Sequence, residues 1–403
     1  MTEGQKERLP LEGVRVIELG TLLAGPFSGR LLADFGAEVI KVEPPGKPDP
    51  MRNWGQEKDG VGLWWPIQSR NKKSVTLNLR VKEGQRVLKD LVKEADILIE
   101  NFRPGTMEKW NLSYDELSKI NPGLIMARTS GFGQTGPYKH RAGFGSVAEA
   151  MGGLRYVTGF PDRPPARIGI SIGDTLAALF STIGCLTALH ERKRSGKGQI
   201  VDTAIYESVF GVMESLIPDY LLAGYIRKRM GNILPGVAPS NIYLTKDETY
   251  IVIGANADGV FRRLCEAMGK PELADDPKFA THSARGQHQK ELDDRIEQWT
   301  QTLDAEKVLS VLEEKGVPSG LIYSAKDIVE DPHYQARDMI IHTEHPRLGE
   351  FPMPGIVPKL SRTPGKVQFV GADQIGEHND EIYRDLLHYN REKLETLKNQ
   401  KVI

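Results

Sequence analysis

One aspartate, Asp174, stands in a sequence context that could support covalent chemistry. It lies in Ile172-Gly173-Asp174-Thr175, before a long apolar segment with helical spacing, which predicts a helix from Thr175 to about Arg194. An aspartate directly before a helix is a favoured N-cap, because its carboxylate accepts from the free amides of the first turn. An ionised carboxylate in this position can also attack an activated acyl group and form a covalent intermediate. The residues alone leave both interpretations open.

Other catalytic motifs lack the context that their chemistry needs. The segment Gly131–Gly136 has the spacing of a dinucleotide fingerprint, but Pro137 follows at once and no helical period opens behind it. The nine histidines form no HExxH pattern, and the chain has no GxSxG elbow. Cys185 and Cys265 lie far apart in no metal-binding pattern. We therefore expect no nicotinamide cofactor, no metal site and no disulfide.

Composition narrows the class of protein further. The chain has 403 residues, and 53 Lys and Arg balance 54 Asp and Glu to a formal net charge of -1. Such a balance provides no overall field for nucleic acid or an anionic membrane. The polar N-terminus lacks a signal-peptide core, and no uncharged apolar run approaches the roughly 20 residues of a membrane helix. We expect a soluble cytoplasmic enzyme with no nucleic-acid or membrane partner.

The elements that must position these residues alternate between strand and helix. Short runs rich in β-branched residues begin at Val14, Val39, Ser74, Ile97, Leu124 and Gln199, with helical patterns between them. Such alternation predicts an α/β fold with a doubly wound, Rossmann-like parallel sheet. We place a large domain at residues 1–225, a smaller α+β domain at 226–325, and a C-terminal segment at 326–403 that returns to the large domain.

Nine short motifs are spread along the chain from residue 11 to residue 381. The segments are Leu11–Leu19, Ala24–Pro26, Leu32–Glu43, Asn71–Ser74, Glu100–Gly105, Gly131–Pro137, Gly173-Asp174, Ser195–Asp202 and Gly376–Glu381. In type and in order they resemble the class III CoA-transferase family (CaiB/BaiF-like), the group of formyl-CoA:oxalate and carnitine CoA-transferases.

The resemblance implies a mechanism for Asp174. In this family the matching aspartate attacks an acyl-CoA thioester to form a mixed anhydride, and the released CoA thiolate then forms an aspartyl-CoA thioester. The acceptor carboxylate enters through a second anhydride and leaves as the new acyl-CoA. The resemblance further implies an interlocked homodimer, with CoA thioesters as substrates and no permanently bound cofactor.

The same resemblance assigns residues to CoA. The adenine side falls on Leu77, Asn78, Leu79 and Arg80. The pantetheine and phosphate side falls on Asn101, Phe102 and Arg103, with Lys109 at a position that is basic in the family. Cationic side chains suit the phosphates of CoA. Taken singly, Arg80, Arg103 and Lys109 could each be a solvated surface charge, but their matched positions favour a CoA contact for Arg103 and Lys109 more than for Arg80.

Departures from the formyl-CoA enzyme bear on the acceptor. Leu23 stands where that enzyme has glutamine, and no glycine-rich lid occurs between Tyr225 and Ser240. Its tyrosine and glutamate fall on Phe144 and Gly145, which implies a larger and less polar pocket than oxalate needs. A dicarboxylate acceptor with succinyl-CoA as donor is favoured, and Arg141, Arg167 and Arg103 are the candidates to hold its second carboxylate.

Two other functions compete with transfer. A 2-methylacyl-CoA racemase of the same fold exchanges the α-proton with a His-Asp pair, but its Gly-His-Asp segment falls on Gly143-Phe144-Gly145 here. Phenylalanine cannot exchange a proton, so one of the two bases is missing. A non-catalytic CoA-binding protein is disfavoured because Gly173-Asp174 is intact.

Overall fold

The computed structural model describes residues 8–403, which form two compact units. The first consists of the described residues through Leu154 together with Ile168–Ser215 and His333–Ile403. The second consists of Arg155–Arg167 and Leu216–Pro332. The division therefore falls at 215 and 332, whereas the sequence analysis placed it at 225 and 325, and a short segment near 160 joins the second unit. The boundary at 225 was expected because the composition changes at the Gly- and Pro-rich stretch 227–240, which lies after the observed boundary at 215.

A six-stranded parallel sheet is the centre of the first unit. Its strands are β1 (Arg15–Glu18), β2 (Glu38–Glu43), β5 (Lys72–Thr76), β6 (Ile97–Glu100), β7 (Ile125–Ser130) and β8 (Ile200–Ala204). They are ordered β5-β2-β1-β6-β7-β8, and every neighbouring pair is parallel. Ile17 pairs with Ile40 on one side and Leu98 on the other. The order reverses between β1 and β6, which confirms the predicted doubly wound α/β fold.

The remaining elements complete both units. In chain order, the other strands are β3 (Glu57–Lys58), β4 (Val61–Gly62), β9 (Ser240–Leu244), β10 (Tyr250–Gly254), β11 (Ser319–Leu321), β12 (Ile340–His345) and β13 (Gly349–Pro354). The α-helices are α1 (Pro26–Asp34), α2 (Trp64–Ser69), α3 (Lys82–Lys93), α4 (Thr106–Lys109), α5 (Tyr114–Ile120), α6 (Gly145–Met151), α7 (Leu154–Val157), α8 (Ile172–Ser195), α9 (Ile205–Phe210), α10 (Leu216–Ala223), α11 (Asp258–Ala267), α12 (His282–Gln287), α13 (Gln289–Thr300), α14 (Ala305–Glu314), α15 (Ala325–Glu330), α16 (Pro332–Ala336) and α17 (Arg391–Asn399).

The core of the first unit lies on both faces of the sheet. On one face, Val87, Leu88 and Leu91 of α3 pack on strand residues such as Leu98. Their i, i+1, i+4 spacing gives α3 a single apolar side. On the other face, α1 and α8 cover residues such as Ile97. Because both faces are covered, the consecutive residues Ile97, Leu98 and Ile99 of β6 are all buried.

The C-terminal segment protects the exposed edge of the sheet at β5. The Nδ1 atom of His378 accepts from the backbone N–H of Ser74 at 3.2 Å. The Oδ1 atom of Asn379 accepts from the N–H of Thr76 at 2.8 Å, and its Nδ2 donates to the Thr76 hydroxyl at 2.7 Å. Two consecutive side chains thus satisfy the alternate N–H groups that another strand would otherwise bind.

Helix α8 is 24 residues long and largely apolar. Within residues 8–403, Ile172–Ser195 is the one helix long and apolar enough to span a membrane by those criteria, with a mean hydropathy of 1.5. The sequence analysis found no uncharged run of that length because Asp174 interrupts it. Cys185, Ala188 and Leu189 of this helix pack on the sheet, as in a core helix.

The second unit is built on an antiparallel sheet of order β11-β10-β9. Strands β9 and β10 form a hairpin, with Ile251 opposite Tyr243. Helices α11, α13 and α14 contribute residues such as Leu264, Ile296 and Val308 to its core. The second unit therefore combines an antiparallel sheet with helices, as an α+β domain does.

Candidate active site

The crevice at the carboxyl ends of the central strands is where an open α/β sheet offers space to a ligand. Asn101, which directly follows β6, bridges this crevice with its side chain. Its Oδ1 accepts from the backbone N–H of Thr21 at 2.9 Å, and its Nδ2 donates to the Thr21 carbonyl at 2.8 Å. Gly20 permits the approach, because a β-carbon there would lie 3.0 Å from Asn101 Oδ1. Asn101 thus ties the loop after β1 to the end of β6.

A cavity of about 390 Å³ opens beside the contact between Asn101 and Thr21. Its walls contain five of the eight residues assigned to CoA by resemblance, together with apolar residues from β2 and from the positions directly after β1 and α4. It is lined by Leu19, Thr21, Val42, Pro44, Pro45, Lys47, Leu77, Asn78, Leu79, Arg80, Phe102 and Trp110. The Phe102 and Trp110 rings meet edge to face at 5.3 Å between centroids and form one wall. Apolar walls with a few cations suit an adenine and its phosphates.

The three other assigned residues have different surroundings. Asn101 uses its amide on the Thr21 backbone, so its side chain positions a loop. Arg103 and Lys109 do not line the cavity, and both are exposed at the start and end of the segment through α4. No side-chain hydrogen bond or ion pair engages either cation within residues 8–403. Both remain available to an anionic ligand.

A buried ionic contact fixes the segment that carries Phe102 and Lys109. Glu100, at the end of β6, accepts from the Phe102 N–H at 2.7 Å and from Arg128 Nε at 2.6 Å. Arg128 also donates to Glu108 of α4 at 2.8 Å. Burial raises the pKa of Glu100, and the charge of Arg128 opposes that shift. A desolvated carboxylate paired in this way stabilises the turn between β6 and α4.

Asp174 lies in the first turn of α8. The helix begins at Ile172 after Ser171, so Asp174 is its third residue and the predicted N-cap position is wrong. The Thr175 backbone N–H donates to the Ser171 carbonyl at 3.0 Å, so the helix begins three residues before the predicted start at Thr175. A carboxylate in the first turn is stabilised by the helix dipole, so the electrostatic argument for an ionised Asp174 still applies.

Two glycines allow α6 to approach the first turn of α8. A β-carbon on Gly145 would overlap Asp174 Oδ2 and lie 2.9 Å from its carboxyl carbon. A β-carbon on Gly173 would lie 3.1 Å from Glu149 Cγ and 3.2 Å from the Gly145 carbonyl. Glu149 is 1% exposed and accepts from the Gly173 N–H at 3.4 Å. The nucleophile candidate is therefore held against a bare helix backbone.

The loop after β7 contains the accidental dinucleotide motif and ends beside Asp174. As expected, no helix begins within Gly131–Gly136, and α6 starts only at Gly145. Gly131 and Gly143 close the base of this loop, since a β-carbon on either would lie 2.7 Å from the other's α-carbon. Arg141 stacks its guanidinium 3.6 Å from the centroid of the Tyr138 ring. Phe144, the racemase-base position, is 65% exposed.

Within the described residues, no group of three or more His, Cys, Asp and Glu side chains could hold a metal ion. Cys185 and Cys265 are both free and buried.

The family follows from comparison of the whole chain. A model of CoA-transferase family III matches residues 11–379, a range that includes Asp174 and every residue assigned to CoA. The chain belongs to CoA-transferase family III. The resemblance inferred from the motifs is thereby confirmed, and the protein is an acyl-CoA:carboxylate CoA-transferase.

Similar members of CoA-transferase family III span its whole length. Succinyl-CoA–D-citramalate CoA-transferase of Chloroflexus aurantiacus is 59% identical over 400 residues, covering 99% of both chains. The alpha subunit of succinyl-CoA–L-malate CoA-transferase of Chloroflexus aurantiacus is 41% identical over 99% of this chain and 94% of the relative. A crystal structure of a CaiB/BaiF family protein from Brucella suis is 37% identical, with a TM-score of 0.82 over 94% of this chain and 100% of that one.

Sequence reasoning missed two features of this CoA-transferase site. Lys47 lines the cavity, is exposed and has no side-chain partner among the described residues. The sequence pattern that could have identified Lys47 is the turn Pro44-Pro45-Gly46 directly after a strand, because this turn places the next residue at the carboxyl end of the sheet. Asp49 was also missed, because a buried carboxylate that binds a loop amide leaves no periodic pattern.

Proposed function

We propose that this CoA-transferase moves CoA from succinyl-CoA to a hydroxylated dicarboxylate of the citramalate type, through a covalent intermediate on Asp174. The observation that carries the proposal is the carboxylate of Asp174, held in the first turn of α8 against the bare α-carbon of Gly145. The substrates are suggested by the 59% identical relative, which is a succinyl-CoA–D-citramalate CoA-transferase. The malate and glutarate enzymes among its relatives share a succinyl donor or succinate partner with a dicarboxylate.

The reaction proceeds by four acyl transfers to and from Asp174. A carboxylate oxygen attacks the succinyl thioester carbonyl, the C–S bond breaks, and CoA thiolate leaves a succinyl-aspartyl anhydride. The thiolate then attacks the aspartyl carbonyl and releases succinate. An acceptor carboxylate attacks the resulting aspartyl-CoA thioester and expels the thiolate again. The thiolate finally attacks the acceptor carbonyl of the second anhydride and regenerates the Asp174 carboxylate. No net proton, water or phosphate is consumed.

The local geometry suits a nucleophile that must become an acyl group. An aspartyl anhydride and an aspartyl thioester are both larger than the carboxylate, so space is required around Oδ1 and Oδ2. On one side the carboxylate lies against the bare backbone of Gly145, so the acyl group of each intermediate extends from the opposite side. The first-turn amides of α8 favour the negative charge that develops on oxygen in each tetrahedral intermediate.

CoA binds, in this proposal, with its adenine in the cavity formed by Leu77–Arg80 and Phe102. Arg80 and Lys47, which line the cavity, and Arg103 and Lys109, which lie beyond it, then meet the phosphates. All four cations are exposed, so each contributes modestly and the set acts together.

Arg141 is the residue that we propose for the second carboxylate of the acceptor. Its guanidinium is ordered on the Tyr138 ring and has no ion-pair partner among the described residues. Stacking leaves the edge of the guanidinium open, and that edge matches a carboxylate with two parallel hydrogen bonds. The exposed ring of Phe144, three residues on, would meet the hydrocarbon part of the acid.

A homodimer in the cytoplasm is the state in which we expect the enzyme to act. On α8, the large apolar side chains of Leu179, Ile183 and Leu186 are exposed. In the second unit, Leu221 and Leu222 of α10 are exposed, Leu222 by 87%. Apolar faces of this kind are usually covered by another subunit. The interlocked arrangement comes from the family resemblance.

A donor-by-acceptor matrix tests the substrate proposal. Succinyl-CoA, acetyl-CoA and formyl-CoA are each incubated with D-citramalate, L-malate, glutarate and oxalate, and new acyl-CoA is identified by mass. We expect the highest kcat/KM for succinyl-CoA with D-citramalate and the lowest turnover with oxalate. A preference for formyl-CoA and oxalate would refute the proposed substrates while leaving the CoA-transferase activity intact.

A further inference from the structure

The loop between β1 and α1, residues 20–25, connects the CoA cavity with the helix of Asp174. At its start, Leu19 and Thr21 line the cavity. Near its end, Ala24 packs in one cluster with Ala177, which lies three residues after Asp174 on α8. A change in the course of this loop would therefore alter both the cavity wall and the packing beside the nucleophile.

Leu22, in the middle of this loop, has an unfavourable backbone conformation. Its φ is 64°, in the left-handed region, where a residue with a β-carbon is disfavoured relative to glycine. Leucine is not among the residues that adopt this region readily, so neighbouring contacts must hold it there.

The contacts that hold Leu22 come from Asp49. Its two carboxylate oxygens lie 3.1 and 3.2 Å from the Leu22 backbone N–H, which donates to both. Asp49 is 2% exposed, and it is itself fixed because its Oδ1 accepts from the Met51 N–H at 3.0 Å. A charged acceptor on a backbone donor is among the stronger hydrogen bonds of a protein.

Lys41 completes the arrangement beneath the loop. Its Nζ donates to Asp49 Oδ2 at 2.7 Å and also to the Gly20 carbonyl, and it forms an ion pair with Glu18 at 3.2 Å. Burial would raise the pKa of Asp49, but the charge of Lys41 and its hydrogen bond lower it below its usual value. Asp49 is therefore ionised. Lys41 binds the Gly20 carbonyl and Asp49 binds the Leu22 N–H, so two buried side chains hold both ends of the segment from Gly20 to Leu22.

We infer that Asp49, supported by Lys41, is a positioning residue of the transfer reaction, which holds Leu22 in the left-handed conformation and so sets the loop between the CoA cavity and α8. The inference rests on the proposed function only in taking Asp174 as the reacting group. If Asp49 only stabilised the fold, the activity of an Asp49 variant would not depend on the backbone preference of residue 22.

The test combines Asp49→Ala with two changes at Leu22. Leu22→Ala and Leu22→Gly both remove the side chain, but only glycine adopts the left-handed region without cost, so alanine is the matched control. The four proteins measured are Asp49→Ala, Asp49→Ala/Leu22→Ala, Asp49→Ala/Leu22→Gly and the wild type. The readouts are kcat and KM for succinyl-CoA with D-citramalate, and the melting temperature.

We expect Asp49→Ala to lower kcat/KM at least tenfold, and Leu22→Gly to restore it about tenfold above the Leu22→Ala double variant. The factor corresponds to the left-handed preference of glycine. Equal kcat/KM in the two double variants, or an unchanged value in Asp49→Ala, would overturn the inference.

If Asp49→Ala does not accumulate as folded protein, Asp49→Asn replaces it in all three variants, with the same two outcomes deciding. Covalent labelling of Asp174 is followed in parallel. Its absence in the wild type would refute the proposed function, whereas the glycine comparison would still decide the role of Asp49.

Discussion

The carboxylate of Asp174 lies directly on the α-carbon of Gly145. A β-carbon at residue 145 would overlap Oδ2 and lie 3.1 Å from Oδ1, so this pair exists only because residue 145 is glycine. The contact joins the first residue of α6 to the first turn of α8. A side chain at residue 145 would therefore require the Asp174 carboxylate to move.

Gly145→Ala tests whether the reaction depends on the close contact between residue 145 and the Asp174 carboxylate. Because the new methyl group must displace the Asp174 carboxylate, we expect kcat to fall at least tenfold, with a smaller change in KM for succinyl-CoA. Steady-state kinetics measure both. Gly259→Ala is the control, since a β-carbon at that helical glycine meets nothing within 4 Å. Equal activity of the two variants would show that the contact does not constrain the reaction.

Arg103→Ala and Lys109→Ala test the phosphate contacts. A hydrogen bond to a charged group contributes about 1.5–3 kcal/mol when desolvated, and these exposed side chains should contribute less. We therefore expect KM for succinyl-CoA to rise about three- to tenfold in each variant, with kcat nearly unchanged. Lys307→Ala, an exposed lysine of the second unit, is the control. Unchanged KM in both variants would identify Arg103 and Lys109 as solvated surface charges.

Lys72 predicts a pH dependence of stability. Burial lowers its pKa to about 8, an effect that the nearby charge of Glu18 only partly offsets. Below that pH the lysine is protonated in both states. Between about pH 8 and its usual pKa near 10.4, the unfolded chain binds more protons than the folded one, so stability rises with pH.

The measurement compares wild type with Lys72→Met in urea at pH 7, 8, 9 and 10. The difference in free energy of unfolding should shift in favour of the wild type by about 1 kcal/mol per pH unit above pH 8. A difference that stays constant over this range would mean that the folded protein retains the proton on Lys72.

Phe144 predicts that the enzyme does not exchange α-protons. Two-base exchange needs a group on each face of the α-carbon, and phenylalanine cannot supply one. In D₂O, a chiral 2-methylacyl-CoA should therefore keep its configuration and gain no deuterium under conditions in which succinyl-CoA forms from succinate. Deuterium incorporation with inversion, read by mass and chiral separation, would indicate an isomerase activity.

Much of the fold could be predicted because its signals are local. The β-branched runs at Val39 and Ile97 end up as central parallel strands, and the basic last turn of α8 ends at Gly196 with φ 70°, as its composition indicates. The start of α8 could not be placed correctly, because Gly173 and Asp174 interrupt the apolar pattern that marks the rest of the helix.

The site could be predicted only in part, for a physical reason. Asp174 and the cavity residues Leu77–Arg80 were found through motifs that are contiguous in sequence. The contacts that position them are long-range: Asn101 binds Thr21, and Asp49 binds Leu22. Such pairs depend on how strands are ordered in the sheet, which no periodicity in a single sequence encodes.

Direct detection of the covalent intermediate tests the central claim about Asp174. Wild-type enzyme and Asp174→Asn are incubated with succinyl-CoA, treated with hydroxylamine, digested and analysed by mass spectrometry. The account predicts a hydroxamate on Asp174 in the wild type, with no labelled peptide and no turnover in Asp174→Asn, whose circular dichroism and melting temperature should stay near those of the wild type. Turnover of Asp174→Asn within a few-fold of the wild type, or a hydroxamate on another carboxylate, would contradict it.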